Sequence, residues 1–233
     1  MRKITLRNAL TGREFMVFFL IILLGVILSN ISENFLSISN LNNIFSQVAY
    51  VTIVAIGMTM VIITGGIDVS VGSILGITTA TAGLCSASNF PVFIILIIVL
   101  GVGFLLGLLN GAIITKGNIH PIIATLGTMS ILRAITYQIL GGKWIFGISE
   151  SIRIIGIGKL WIIPISIIIT IILIVIFSYF LTYRPYGRYI YAIGNNIELA
   201  RISGINTKKV LLLVYALTGA LVGIAGLIYI GRT

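Results

Sequence analysis

The chain contains little charge: only 9% of its 233 residues are charged, where soluble domains carry about 25%. One histidine and five scattered acidic residues offer neither a metal-ligand cluster nor a catalytic triad. The single cysteine, Cys85, lies in an apolar stretch and has no second cysteine with which to form an internal disulfide. We therefore expect no catalytic residue, no metal and no cofactor in this chain, and we predict that it is not an enzyme.

Apolar residues are abundant instead: 58% of the chain is hydrophobic and its mean hydropathy is +1.19. A bilayer core about 30 Å thick needs roughly 20 apolar residues per helix. The third apolar run is short, so we expect its helix to be tilted, broken or not fully spanning. The pattern predicts an all-α, polytopic transmembrane bundle with about seven spans, at residues 15–28, 48–64, 74–87, 92–115, 122–140, 161–182 and 210–230.

The net charge of +10 is best interpreted as membrane topology, because the basic residues lie between the apolar runs. Cytoplasmic loops carry an excess of Lys and Arg, so this charge does not predict nucleic-acid binding. The basic residues among the first 13 positions predict a cytoplasmic N-terminus before an uncleaved first span. Residues 183–209 carry five more and also fall inside. Residues 141–160 are the exception, since this loop falls outside yet has three basic residues against one acid.

Small residues recur at four-residue spacing within the apolar runs. Gly103, Gly107 and Gly111 form one such ridge, and Gly219 with Gly223 form another on the last run. Small residues let helix backbones approach closely in lipid. These positions therefore predict packing seams within a single bundle over residues 1–233.

Residues 65–73 read Gly-Gly-Ile-Asp-Val-Ser-Val-Gly-Ser and separate two strongly apolar runs. A carboxylate at membrane depth usually marks a path or a binding site, and irregular backbone there must be buried in protein or line a cavity. We predict a structural break at Gly65, Gly66 and Gly72. The alternative is a short solvated loop that ends one helix.

The predicted cytoplasmic segment, residues 183–209, contains signs of a short helix. Pro185 ends the preceding helix, and Asn195 or Asn196 is placed to cap a new one over residues 197–203. Such a helix, lying off the bundle, would dock a cytoplasmic partner. The alternative is a solvated, positively charged loop.

Four blocks of the sequence together resemble the permease subunits of bacterial ABC importers, most closely the ribose, xylose and galactose branch. Residues 65–73 match that branch's Gly-Gly-Ile-Asp-Leu-Ser-Val-Gly-Ser, with Val69 in place of Leu. The blocks occur in the family's order and cover most of the chain from about residue 45. The other three are residues 107–116, 123–133 and 191–227.

The resemblance implies a membrane subunit that translocates a monosaccharide across the bacterial inner membrane. It implies a cytoplasmic ATPase partner that binds ATP and magnesium, an extracytoplasmic sugar-binding protein and a second permease copy, expected to form a homodimer. The ATPase would contact the coupling loop 183–209 through Glu198, Ala200, Arg201 and Gly204. This chain lacks the Gly-x-x-x-x-Gly-Lys-Ser/Thr phosphate motif, as such a division of labour requires.

Buried polar residues are the candidates for the translocation path. Asp68 and Ser70 are expected to line or gate it, with Asn110 as a further candidate, because amides and hydroxyls suit a neutral polyol. Arg133 is expected to pair with Asp68, to line the path or to snorkel to the interface. Thr125 is expected instead to bond a neighbouring helix backbone.

The sequence departs from the resembled family at its end. Those permeases continue with two or three further spans, so we expect this chain to be an incomplete permease. Two alternatives stay open: a truncated, non-transporting membrane interaction protein, and a permease for a branched-chain amino acid.

Overall fold

A computed structural model describes residues 13–143 and 145–233. Arg2, Lys3 and Arg7, which carry part of the topology prediction, lie outside the described residues. The chain divides into two units, one ending at Ile44 and one comprising Phe45–Thr233. All the candidate site residues belong to the second unit.

The described residues form ten helices and one two-stranded hairpin, which confirms the predicted all-α class. The elements are α1 (Arg13–Ile31), α2 (Ile38–Ile63), α3 (Val71–Ala87), α4 (Val92–Gly117), α5 (Pro121–Leu140), α6 (Glu150–Ile157), β1 (Lys159–Leu160), β2 (Ile163–Pro164), α7 (Ile165–Tyr183), α8 (Pro185–Asn195), α9 (Ile197–Ile202) and α10 (Thr207–Ile230).

Each of the seven apolar runs coincides with a helix, but the helices differ in their capacity to span a membrane. In the described part of the chain, five are long and apolar enough by themselves: α2, α4, α5, α7 and α10. Two apolar helices are shorter, the Phe15–Ile31 part of α1 and all of α3. With 17 residues, α3 is about 25 Å long at 1.5 Å per residue, as its short apolar run predicts.

The central contact of the second unit joins α4 to α10, and glycines make it possible. A Cβ atom on Gly103 would clash with the carbonyl oxygen of Gly219, and one on Gly107 would clash with the carbonyl oxygen of Tyr215. A Cβ on Gly223 would clash with the carbonyl oxygen of Val99 in the same way. The backbones therefore touch, and the predicted glycine seam is confirmed.

Most of α10 is buried, because other helices cover its remaining faces. On the α2 side, the Thr218 hydroxyl lies 3.1 Å from the carbonyl oxygen of Gly57. The main apolar cluster joins Ile53 and Met60 of α2 to Val214 and Ile228 of α10. Since α10 contacts α2, α3 and α4, it is the axis on which the site is built.

Helix α6, which lies between α5 and α7, packs against the end of α10. Ile152 of α6 is fully buried, and a Cβ on Gly156 would clash with the backbone of Gly231. The hairpin β1–β2 follows, with Trp161 exposed in its turn at φ +60°. The prediction that the sixth span begins at residue 161 is therefore wrong, because the helix begins at Ile165.

The segment between α7 and α10 contains one helix more than the sequence predicted. Pro185 occupies the first turn of α8, where its missing N–H costs nothing, so it starts a helix as well as ending one. Ile190 and Ile193 of α8 are buried in the main apolar cluster, while Tyr191 is exposed. This amphipathic helix attaches the predicted cytoplasmic segment to the bundle.

Candidate functional site

The segment from Thr64 to Ser70 separates α2 from α3 and forms neither helix nor strand. Its residues alternate in burial: Gly66, Asp68 and Ser70 are buried, while Ile67 and Val69 are exposed. A period of two residues is that of a strand. The break therefore points its carboxylate and its hydroxyl into the protein and its aliphatic side chains outward.

Gly65 ends α2 in a conformation that side chains disfavour. Its φ is +77°, its N–H bonds the carbonyl of Ile62, and the Gly66 N–H bonds the carbonyl of Val61. This pair of bonds is a Schellman motif with glycine in the left-handed position. A Cβ on Gly66 would lie 2.8 Å from the hydroxyl of Tyr215. Gly65 is therefore needed for its positive φ, and Gly66 for the space beside Tyr215.

Gly72, predicted as a third breaking residue, lies in the first turn of α3. It is exposed, and a Cβ there would meet nothing within 4 Å. The irregular backbone therefore ends before Gly72. Because Gly72 has no side chain, the surface of α3 is open at this position.

Three of the predicted path residues form one buried hydrogen-bonded network. The N–H of Ser70 and its hydroxyl both donate to Asp68 Oδ1, at 2.9 and 2.6 Å. Asn110 of α4 donates from Nδ2 to the Ser70 hydroxyl oxygen at 2.7 Å. All three residues are at most 2% exposed. The Asn110–Ser70 bond fixes the break to α4, and the two Ser70–Asp68 bonds hold the turn within the break.

Tyr215 of α10 belongs to the same buried region and is not among the site residues predicted from the sequence. Its hydroxyl lies beside Gly66 and within electrostatic reach of Asp68. The Tyr215 hydroxyl, Asp68 Oδ2 and Asn110 Oδ1 have no hydrogen-bond partner among the described residues. A tyrosine within an otherwise apolar span is the sequence feature that would have indicated it.

Thr125 of α5 fastens the other side of the break. Its hydroxyl donates to the carbonyl of Pro121 at 2.8 Å and accepts from the N–H of Val69 at 3.2 Å. The sequence predicts that Thr125 bonds the backbone of a neighbouring helix, but its backbone partners are its own helix and the break. Ser73 adds a second link, from its hydroxyl to the carbonyl of Met129 at 2.9 Å.

A cavity of about 980 Å³ lies between the break and α9, and we call it the α9 cavity. Thr64, Gly65 and Gly66 line it on one side, and Glu198 and Arg201 line it on the other. Thr115, Asn118, Asn206 and Thr207 add hydroxyl and amide groups to a wall that also contains His120, Lys208 and several aliphatic side chains.

A second cavity of about 440 Å³ lies between α3 and α5, and we call it the α3–α5 cleft. Arg133 lines it together with Gly72, Ser73 and Tyr137. The structure places Arg133 in this cleft and not beside Asp68, whose Oδ1 is bonded by Ser70. Of the alternatives for Arg133, this placement excludes pairing with Asp68.

The α9 helix is capped as the sequence predicts. The Asn196 side chain accepts from the N–H groups of Glu198 and Leu199, both at 3.0 Å. Gly204 follows the helix at φ +83°, and Ile205 bonds back to the carbonyl of Ala200 in a second Schellman motif.

The surface of α9 differs from the prediction in one residue. Ala200 is 4% exposed and belongs to the main apolar cluster, so the expectation that it is presented to a partner is wrong. The helix does not lie off the bundle, because Ala200 packs it onto the core. Glu198 and Arg201 are exposed as expected, and so are Leu199 and Ile202.

The family described as "Branched-chain amino acid transport system / permease component" matches residues 40–233. The chain belongs to this permease family. It is a multi-pass protein of the bacterial inner membrane, and its resemblance to ABC-importer permeases is confirmed. No solved structure matches it significantly.

Individual relatives of this permease are named as import permeases for ribose and for autoinducer 2. The Ribose import permease protein RbsC of Haemophilus influenzae is 41% identical over 219 residues, which cover 92% of this chain and 68% of the relative. RbsC of Bacillus subtilis is 40% identical, over 90% and 66%. The Autoinducer 2 import system permease protein LsrC of Yersinia pseudotuberculosis is 32% identical, over 94% and 62%.

The permease spans about two thirds of the length of these relatives. They are named as permeases and not as enzymes. Among the described residues, no group of three His, Cys, Asp or Glu side chains comes together as a metal site.

Proposed function

We propose that this permease translocates a monosaccharide, a ribose-like pentose or a hexose, across the inner membrane. The observation that carries the proposal is the 41% identity to a ribose import permease over 92% of the chain. The α9 cavity adds threonine hydroxyls and asparagine amides, which hydrogen-bond a polyol, beside the charged Glu198, Arg201 and Lys208.

The test compares uptake of labelled ribose and labelled leucine by vesicles that contain the permease with its ATPase and binding protein. We expect ATP-dependent accumulation of ribose that unlabelled ribose abolishes and leucine leaves unchanged. Accumulation of leucine would support the alternative that the substrate is a branched-chain amino acid, which is the substrate class in the family description. Accumulation of neither would favour a non-transporting interaction protein.

We further propose that α9 transmits the work of a cytoplasmic ATPase, which binds ATP and magnesium. Leu199 and Ile202 are 60% and 80% exposed, and their three-residue spacing puts them side by side on one helix face. Adjoining exposed apolar side chains, unlike scattered ones, mark interaction surfaces. Glu198 and Arg201 flank them and add polar contacts. A helix with exposed apolar positions suits a groove on a partner.

Ile202→Ser tests this docking surface. We expect it to lower ATP-driven uptake without altering the amount of folded permease. Ile162→Ser is the matched control, since Ile162 is 67% exposed but lies in the β1–β2 turn. Glu198→Ala and Gly204→Ala should uncouple ATP hydrolysis from uptake. Unchanged uptake in all three α9 variants would exclude the docking role.

The remaining partners are proposed on the same basis. An extracytoplasmic binding protein would deliver the sugar, and a second permease copy would complete the path as a homodimer. Crosslinking and native mass measurement of the assembly in detergent would test the stoichiometry. A single permease chain per two ATPase subunits would overturn the homodimer.

A further inference from the structure

The two cavities lie at opposite ends of the same helix, and one short segment separates them. Pro121 at the start of α5 lines the α9 cavity, while Leu140 at its end lines the α3–α5 cleft. A helix of 20 residues is about 30 Å long, which is the thickness of a bilayer core. The two cavities therefore approach the break from opposite ends of α5.

In the sequence, residues 67–71 lie between a residue that lines the α9 cavity and a residue that lines the α3–α5 cleft. Gly66 lines the α9 cavity and Gly72 lines the α3–α5 cleft, so only five residues intervene. Neither Asp68 nor Ser70 is among the residues lining the two cavities in the described part of the chain. Their side chains point instead into the protein toward Asn110.

We propose that residues 67–71 are the closed gate between two halves of a translocation path, and that the Asp68–Ser70–Asn110 hydrogen bonds hold it shut. The inference rests on the proposed function, because a gate has meaning only if something passes. It assigns Asp68, Ser70 and Asn110 a positioning role, in which they touch no substrate.

The attachment of the gate to its neighbours supports this role. The Asn110 side chain donates to the Ser70 hydroxyl and so fastens the gate to α4. The Val69 N–H donates to the Thr125 hydroxyl and so fastens the gate to α5. Irregular backbone forms few bonds of its own, so these contacts determine its position. Tyr215 lines the α9 cavity and also contacts Gly66, which immediately precedes the gate, so movement in the cavity reaches the gate through one residue.

Sided labelling of single cysteines tests the gate. In a Cys85→Ala background, Thr64→Cys reports on the α9 cavity and Gly72→Cys on the α3–α5 cleft. Both positions tolerate the change, since the Thr64 hydroxyl bonds only within α2 and Gly72 faces open space. A membrane-impermeant maleimide is added to inside-out or right-side-out vesicles, and labelling in detergent measures the total folded protein.

We expect Thr64→Cys to be labelled only from the cytoplasmic face and Gly72→Cys only from the opposite face. Adding Ser70→Ala should raise labelling of Gly72→Cys from the cytoplasmic face by about tenfold, the order expected when buried hydrogen bonds to Asp68 and Asn110 are lost. Ser166→Ala is the matched control, because Ser166 is equally buried and its hydroxyl has no partner among the described residues.

Labelling of both cysteines from the same face would overturn the gate. So would an equal effect of Ser70→Ala and Ser166→Ala. Ribose uptake measured in the same vesicles separates this proposal from the function itself. Ribose uptake with same-face labelling rejects the gate alone, whereas opposite-face labelling without uptake of ribose rejects the proposed substrate alone.

Discussion

Asn110 of α4 donates a 2.7 Å hydrogen bond to the hydroxyl of Ser70, which precedes it by 40 residues and stands at the start of α3. This bond joins two helices through a site that contains a carboxylate. A buried polar group that loses its partner costs about 1–3 kcal/mol, so the bond is a measurable contribution to the folded state.

Asn110→Leu should therefore destabilise the permease by roughly 1–3 kcal/mol, since it leaves the Ser70–Asp68 pair without its donor. Thermal unfolding in detergent measures the change. Thr115→Val is the control on the same helix, because the Thr115 hydroxyl is buried but bonds only the carbonyl of Gly111. Equal losses in the two variants would contradict a role specific to the network.

Gly103→Ala should damage the contact between α4 and α10. The added methyl group would clash with the carbonyl oxygen of Gly219, and overpacking typically costs about 1–3 kcal/mol. Gly101→Ala, two residues away, meets nothing within 4 Å. We expect a lower unfolding temperature for the first variant only, and similar unfolding temperatures for both would show that the seam is not tight.

Thr125→Val should release the backbone of the break without changing the volume of the side chain. The N–H of Val69 would lose its acceptor, so its hydrogen exchange should accelerate by about tenfold, as for a lost bond of roughly 1.4 kcal/mol. Thr136→Val is the comparison, since the Thr136 hydroxyl bonds only the carbonyl of Leu132. Unchanged exchange at Val69 would mean that the break is held elsewhere.

Asn196→Ala should fray α9 by removing the acceptor for two N–H groups. Loss of an N-cap costs about 0.5–2 kcal/mol, so amides of Glu198 and Leu199 should exchange faster. Asn195→Ala provides the control, because Asn195 is the last residue of α8 and is not the cap. If both variants accelerate exchange alike, the cap does not determine the stability of α9.

Local features were predictable from the sequence. Apolar runs indicated the spans, and four-residue glycine spacing indicated the seam through Gly103 and Gly219, because both depend on the period of one helix. Both ends of α9 were predictable for the same reason. Asn196 at its start and Gly204 after its end act on neighbouring backbone groups.

Contacts between distant segments were not predictable in this way. The pattern of α9 by itself predicts that Ala200 faces a partner. In the structure, Ala200 belongs to the main apolar cluster, and α9 packs against α8. Tyr215 was missed because its neighbours Gly66 and Asp68 lie far from it in the chain. Burial of a residue depends on which segments meet, and a single sequence does not record that.

The glycine contact between α4 and α10 has a mechanical consequence. Two helices whose backbones touch over several turns leave no layer of flexible side chains to deform, so they are expected to move as one rigid body. Any motion that opens one side of the membrane and closes the other must then hinge at irregular backbone. In the second unit, the segment between Thr64 and Ser70 is irregular backbone that contacts this rigid pair, through Asn110 on one helix and Tyr215 on the other.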